Sequence, residues 1–169
     1  MLVPSSLMQS MSSFVSQNVG AKNERRATKS MLTGMAIGAL IGIFVFLLIF
    51  FKGDFVSSIF TDNENVIRRS YEYLRGFAIE AVVTSVLFSF IGYFNGHGAT
   101  MLVMIQGLAQ SFLVRLPMSY IMSVQPDASL SMIGLAAPTA TVFGIVLNLV
   151  FFIFYQKKLN IKGNENKEN

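Results

Sequence analysis

The stretch "MLTGMAIGALIGIFVFLLIFF", residues 31–51, decides what kind of molecule this is. It runs for 21 residues without a charged side chain. A helix rises about 1.5 Å per residue, so the run is long enough for the ~30 Å hydrocarbon core of a bilayer. Gly34, Gly38 and Gly42 recur every four residues within it. Small residues at that spacing make a smooth helix face on which a second backbone can pack closely.

The same character recurs along the chain. Residues 132–155 carry no charge, residues 76–94 carry only Glu80, and residues 101–124 carry only Arg115, with Pro117 two positions later. These runs predict helices over 31–51, 72–94, 101–124 and 132–155. Residues 1–19 are Ser-rich and only weakly apolar, and Gln9, Ser13 and Gln17 recur at i, i+4 and i+8. That is one polar stripe on a helix, read as the end of a fifth helix that is truncated or faces a cavity. The expected fold is an all-α integral membrane protein, a polytopic helical bundle of four full transmembrane helices plus the end of a fifth. The membrane region is expected over residues 1–158, and residues 159–169 form a polar tail with a disordered end.

Composition agrees. The chain is 53% hydrophobic and 13% charged, against about a quarter charged in soluble domains, and its mean hydropathy is +0.56. The absence of Cys excludes disulfides and thiolate metal sites. The start "MLVPSSLMQS" lacks the cationic beginning of a signal peptide. The net charge of +4 sits at the edges of apolar runs rather than along one polar face. It therefore marks topology and argues for a lipid bilayer, not nucleic acid, as partner.

Four linkers separate the runs. Residues 20–30 are basic, with Lys22, Arg25, Arg26 and Lys29. Residues 52–72 are longer and mixed in charge, and include the apolar patch "FVSSIF". Residues 95–100, "NGHGAT", form a Gly-rich turn, and residues 125–131 form another with Pro126 and Asp127. Alternating spans put linkers 20–30 and 95–100 on the side of the tail, which adds Lys157, Lys158, Lys162 and Lys167. The other side has Lys52, Arg68 and Arg69, offset by Asp54, Asp62, Glu64 and Asp127. Basic residues near spans favour the cytoplasm. The basic linker and the C-terminus are therefore expected there, in a multi-pass protein of the plasma (inner) membrane.

Candidate functional residues are the polar groups inside spans. A carboxyl near the middle of a membrane helix costs about 2.5–3.5 kcal/mol on insertion scales. Glu80 is therefore expected to face a cavity, a cation or a partner, with Thr84 one turn on. The structural alternative is an ion pair with Arg75 or Arg115. Gln106 and Gln110 are a second polar pair at i, i+4. Arg115 reads as an anchor that reaches toward the interface. Pro117 is expected to loosen its helix, because it lacks a backbone donor. In the last span Ala140, Gly144 and Asn148 repeat the small-residue spacing, and Asn148 is suited to bridging helices. His97, the only His, reads as an exposed residue of the Gly-rich turn. No nucleophile–base pair, metal cluster or phosphate loop appears. "GYFNGHG" lies between two spans, the wrong context for a dinucleotide fingerprint. Neither an enzyme nor a bound cofactor is expected.

The run "SSLMQSMSSFVSQNVGAKNERRA" resembles the multidrug and toxic compound extrusion (MATE) family, in which a helix ends in a Q-N-x-G-A-like signature before a basic turn. Here the matching residues are Gln17, Asn18, Gly20 and Ala21. "IFTDNENVIRRSYEYLRGFAI", "GYFNGHGAT" and "FLVRLPMSYIM" resemble the family's outer loop, cytoplasmic turn and following span, in the same order. The likeness covers residues 5–158. It implies one partial six-span lobe of a two-lobe transporter, and the polar tail suggests the C-terminal lobe. It also implies antiport of organic, often cationic, drugs against Na⁺ or H⁺. Some branches of the family carry a cation-binding acid in the helix of Glu80, at or near the position of Thr84. On this reading Glu80, Thr84, Gln106, Gln110, Gln9 and Gln17 line the cation and substrate cavity. The N-terminal lobe, or another copy, would be the missing partner. A lipid-linked oligosaccharide flippase of the wider superfamily and a non-transporting membrane assembly subunit are the alternatives.

Overall fold

The structure is a computed structural model that describes residues 2–125 and 130–168, with side chains over 4–125 and 130–157. The helices are α1 (Leu2–Gly20), α2 (Glu24–Ser58), α3 (Glu64–Phe77), α4 (Glu80–Gly96), α5 (Thr100–Ala109), α6 (Leu116–Val124), α7 (Leu130–Gly134) and α8 (Ala136–Glu168). A π-helical segment, Gln110–Arg115, joins α5 to α6. No strand occurs among the described residues. Three helices are long and apolar enough to cross a membrane: Glu24–Ser58, Thr100–Val124 and Leu130–Lys157. The pair α3 and α4, bent by 45°, is together long and apolar enough to make a fourth, as a broken span or a re-entrant loop. The chain is thus an all-α, multi-pass membrane bundle. Leu40, Phe44, Phe51, Leu113, Tyr120 and Phe154 are exposed on its outside, where lipid covers them.

α4 lies at the centre and packs against α1, α2, α5 and α8. The glycine ladder of α2 makes this possible. Gly34, Gly38 and Gly42 are all buried. A Cβ on Gly42 would stand 2.6 Å from the Ala81 carbonyl oxygen and 2.8 Å from Val82 Cα, both on α4. One on Gly38 would meet Ser85 Cβ at 3.0 Å, and one on Gly34 would strike the flexible end of Met11 on α1. At the turn end of the bundle Val15, Met31, Tyr93 and Phe94 are almost completely buried.

Two turns need a left-handed residue. Lys22, at φ 56°, turns the chain between α1 and α2, and Gly98, at φ 72°, turns it between α4 and α5. The Asn23 backbone N–H donates to the Asn18 carbonyl at 2.8 Å, and the Asn23 side chain caps α2 by accepting from the Arg26 N–H at 3.1 Å. Gln17, Asn18, Gly20 and Ala21 thus form the end of α1 and the start of this turn.

Several expected boundaries move. The basic linker shrinks to residues 21–23, so Arg25, Arg26 and Lys29 lie on the first turns of α2. The mixed linker of 52–72 shrinks to 59–63. α2 continues through a kink at Lys52 (φ −133°, ψ 24°) to Ser58, and Asn63 Oδ1 caps α3 by accepting from the N–H groups of Asn65 and Val66. The kink falls where Lys52 and Asp54 interrupt the apolar run. The single helix expected over 72–94 is two helices, broken at Ala78 and Ile79. The last helix starts at Ala136, and its backbone runs on to Glu168. The expected turn at Pro126 and Asp127 falls outside the described residues.

His97 also differs from expectation. Its side chain is 1% exposed and lies 2.8 Å from Glu24. The rings of Tyr93 and Tyr155 pack over it.

The three glycines of α2 should differ in their tolerance of a methyl group. Gly42→Ala meets helix backbone, which cannot give way, and should cost about 1–3 kcal/mol. Gly34→Ala meets only a methionine terminus and should cost less. Unfolding of the two purified variants in mixed detergent checks this. Equal loss would mean that α4 does not cross α2 at Gly42.

A buried polar chain at the break in α4 forms the candidate functional site

The break in α4 sets the position of Glu80. The Ala81 N–H donates to the Ala78 carbonyl at 3.2 Å, and the Val82 N–H donates to the Ile79 carbonyl at 3.1 Å. These tight i, i+3 bonds make the corner. Close contact between backbones holds it in place. A Cβ on Gly76 would collide with the Ser131 carbonyl oxygen, and one on Gly134 would stand 2.7 Å from the Tyr73 carbonyl oxygen. Ser131 Oγ donates to the Glu72 carbonyl across the same contact. α7 is therefore seated on α3, and α4 starts afresh at Glu80. A carboxylate in the first turn of a helix faces the positive end of its dipole.

Glu80 is 5% exposed, and its partner is a hydroxyl rather than an arginine. Thr141 Oγ1, on α8, donates to Glu80 Oε1 at 2.9 Å. Gln110 Nε2 donates to Thr141 Oγ1 at 3.3 Å, and Gln106 Nε2 donates to Gln110 Oε1. The four side chains form one hydrogen-bonded chain across α5, the π segment, α8 and α4. Gly144 makes room for it, because a Cβ there would strike Gln110 Oε1 and stand 2.7 Å from Gln106 Nε2. Ala140, beside Thr141, is fully buried.

The structural alternatives for Glu80 do not occur. Arg75 is exposed and stacks over Phe50 at 5.1 Å and Tyr71 at 5.7 Å. Arg115 is also exposed. Among the described residues neither makes an ion pair with Glu80. The loosening expected at Pro117 appears as the π segment one turn earlier. Pro117 offers no N–H to the turn before it, and wider hydrogen-bond spacing there accommodates the loss. That segment begins at Gln110.

Thr84 is 3% exposed, one turn along α4 from Glu80. Its Oγ1 and Glu80 Oε2 are buried as neighbours one turn apart, and neither finds a partner on another helix among the described residues. Both residues line a cavity of about 390 Å³, whose other walls include Pro4, Ile41, Val45 and Phe77. Ser85 lines it too, and the rest of the wall is apolar. Asn148 is fully buried as well, and neither of its amide atoms finds a partner among the described residues.

The structure gathers Glu80, Thr84, Gln106 and Gln110 but not Gln9 or Gln17. Both of those are exposed on the outer side of α1, whose inward face is Met11, Val15 and Asn18. Sequence reasoning missed Thr141, the residue that links the two predicted pairs. A signal for it existed. Thr141 and Asn148 stand seven residues apart, on one face of a charge-free span, with Gly144 between them.

A model of the MatE family matches residues 1–121. The chain belongs to the MatE family. The resemblance carried by Gln17, Asn18, Gly20 and Ala21 is thereby borne out, and the family is one of membrane transporters rather than enzymes. The match includes α1 to α5, the π segment and most of α6. It therefore takes in Glu80, Thr84, Gln106 and Gln110, while Thr141 lies beyond it. No curated protein and no solved structure matches the chain.

Thr141→Val in this MatE chain keeps the shape of the side chain and removes both hydrogen bonds. Leaving Glu80 Oε1 and Gln110 Nε2 without that hydroxyl should cost about 1–3 kcal/mol. Thr139→Val, at an exposed hydroxyl that bonds only its own helix at Leu135, should cost under about 0.5 kcal/mol. Paired unfolding curves in detergent check this. Equal small losses would show that the chain of bonds does not hold α8 to α4.

Proposed function

We propose that the chain forms one lobe, the C-terminal one, of a cation-coupled multidrug antiporter. It exports organic, often cationic, compounds in exchange for Na⁺ or H⁺. The observation that carries this reading is the buried carboxyl of Glu80 beside Thr84, two residues that line a cavity inside a MatE bundle and whose Oε2 and Oγ1 bond to no other helix among the described residues. A buried carboxyl with only one oxygen tied to another helix suits a group that exchanges a cation. Its fixed oxygen keeps it in place while its other oxygen reacts. The resemblance puts the family's acid at Glu80 or one turn later, and both positions share this face. Organic cations are the expected cargo, because the cavity combines apolar walls with an acidic group.

The lobe works against a second helical lobe, an N-terminal half or another copy. Gln9 and Gln17 support this. They are exposed polar groups on α1, and lipid offers them no hydrogen bonds. A facing lobe that encloses a wet cleft would. Without that lobe, transport is expected to fail. The membrane is the plasma (inner) membrane, with the Lys22 turn in the cytoplasm.

A flippase for lipid-linked oligosaccharides needs cations facing its cargo. The buried polar chain contains none, and Arg115 points outward. That observation favours the antiporter. A role in membrane assembly alone leaves the buried carboxyl of Glu80 beside Thr84 without a use.

The test is Glu80→Gln in the two-lobe transporter reconstituted in vesicles. The amide keeps size and hydrogen bonding but cannot titrate. Folding and drug binding should persist, while ion-driven efflux should fall by at least about tenfold. Efflux at the original rate would remove Glu80 from the coupling step.

A further inference from the structure

The far end of α4 carries a second buried titratable group, about 25 Å along the helix from Glu80 at 1.5 Å per residue. His97 ends α4 with its side chain 1% exposed. Its Nδ1 lies 2.9 Å from the Tyr93 carbonyl oxygen, one turn back, and its Nε2 lies 2.8 Å from Glu24 Oε2, at the start of α2. A carbonyl oxygen has no proton to donate, and neither has a carboxylate. Neutral imidazole carries one N–H and one bare lone pair. It can donate to Tyr93 or to Glu24, but not to both. Both contacts form only when the pair holds one proton more than neutral imidazole plus carboxylate.

We propose that His97 and Glu24 form a proton-binding site that fastens the α1–α2 turn to the end of α4. With the proton bound, both ring nitrogens donate. When it leaves, Nδ1 keeps its N–H on the Tyr93 carbonyl, and the bare Nε2 faces the Glu24 oxygen, lone pair against lone pair. The clasp then opens at Glu24.

The surroundings suit this role. Glu24 is 37% exposed at its side chain, so the proton has a route to water on that side. Tyr93 packs on the imidazole from α4 with ring centres 4.2 Å apart, and Tyr155 packs from α8 at 5.3 Å. α1 contributes no charged residue. Lys22, Arg25, Arg26, Lys29 and Lys157 are all exposed. Among the described residues none of them pairs with Glu24, whose ion-pair partner is His97. A second tie at this end carries no charge: Gln156 Nε2 donates to Tyr93 Oη at 2.8 Å and to Thr28 Oγ1 at 3.3 Å. That tie holds α8 to α4 whatever the state of His97. It also holds α2 at Thr28, so loss of the proton frees the α1–α2 turn only as far as Glu24 and the residues next to it. The site stands on this geometry alone and is independent of the role given to Glu80.

His97 is the only histidine, so its ring nitrogens can be observed without assignment ambiguity. The full chain, labelled with ring-¹⁵N histidine in detergent micelles, would be titrated from about pH 5 to about pH 9 by ¹⁵N spectroscopy. In the wild type both nitrogens should be protonated at the acid end, and the proton retained at the alkaline end should sit on Nδ1. In Glu24→Gln the amide can donate to a bare Nε2, so the neutral ring is satisfied. Proton affinity should then fall about tenfold. A neutral wild-type ring with its proton on Nε2 would overturn the proposal, even if the variant fails to fold. So would an unchanged proton affinity in folded Glu24→Gln. Amide exchange provides a second readout: corrected for intrinsic rates, residues 22–26 should lose protection as pH rises in the wild type. Constant protection across the titration would also overturn the proposal.

Discussion

Two helix backbones can touch only where side chains are missing at the crossing. The structure depends on two such contacts. Gly42 brings α2 onto the backbone of α4 at Ala81 and Val82. Gly76 and Gly134 bring α3 onto the backbone of α7 around Ser131. Between them these contacts fix α4 at both sides of its first turn. The break at Ala78 and Ile79 follows, because a straight helix could not satisfy both. Glu80 is placed by that break, and the buried polar chain through Thr141, Gln110 and Gln106 is built onto it.

Low dielectric then decides which groups can occupy this position. A buried hydrogen bond in a membrane bundle has no water to replace it, so each polar side chain needs a protein partner or a ligand. Gln106, Gln110 and Thr141 meet the requirement among themselves. Glu80 meets it at Oε1, while its Oε2 and Thr84 Oγ1 bond to no other helix among the described residues. Both residues line the cavity. The same rule governs the other end of α4, where the His97 ring has two acceptors and needs an added proton to serve both.

The spans were legible in the sequence because charge-free runs leave few alternatives in water or lipid. Their ends were less so. Lys52 and Asp54 look like a boundary on a hydropathy scale; the backbone kinks there at Lys52 but resumes as helix to Ser58. Nothing local marks Ala78 and Ile79 as a break, since it is made by Gly76 against Ser131, distant in sequence. Within the site, Glu80, Thr84, Gln106 and Gln110 were legible one by one as polar groups in apolar spans. Their connection was not, because it runs through Thr141, 61 residues from Glu80. His97 was misjudged for the same reason. The Gly-rich turn suggests exposure, but Glu24, 73 residues away, and Tyr155 of α8 cover the ring.

The central claim is that Glu80 and Thr141 act as one unit that joins α4 to α8. A double-mutant cycle measures this directly, with unfolding free energies in detergent for the wild type, Glu80→Leu, which has no acceptor for the Thr141 hydroxyl, Thr141→Val and the double variant. A direct hydrogen bond predicts a coupling energy of about 0.5–3 kcal/mol. Free energies that add to within about 0.3 kcal/mol would mean that the two side chains do not interact, and would contradict the placement of α8 beside the break in α4.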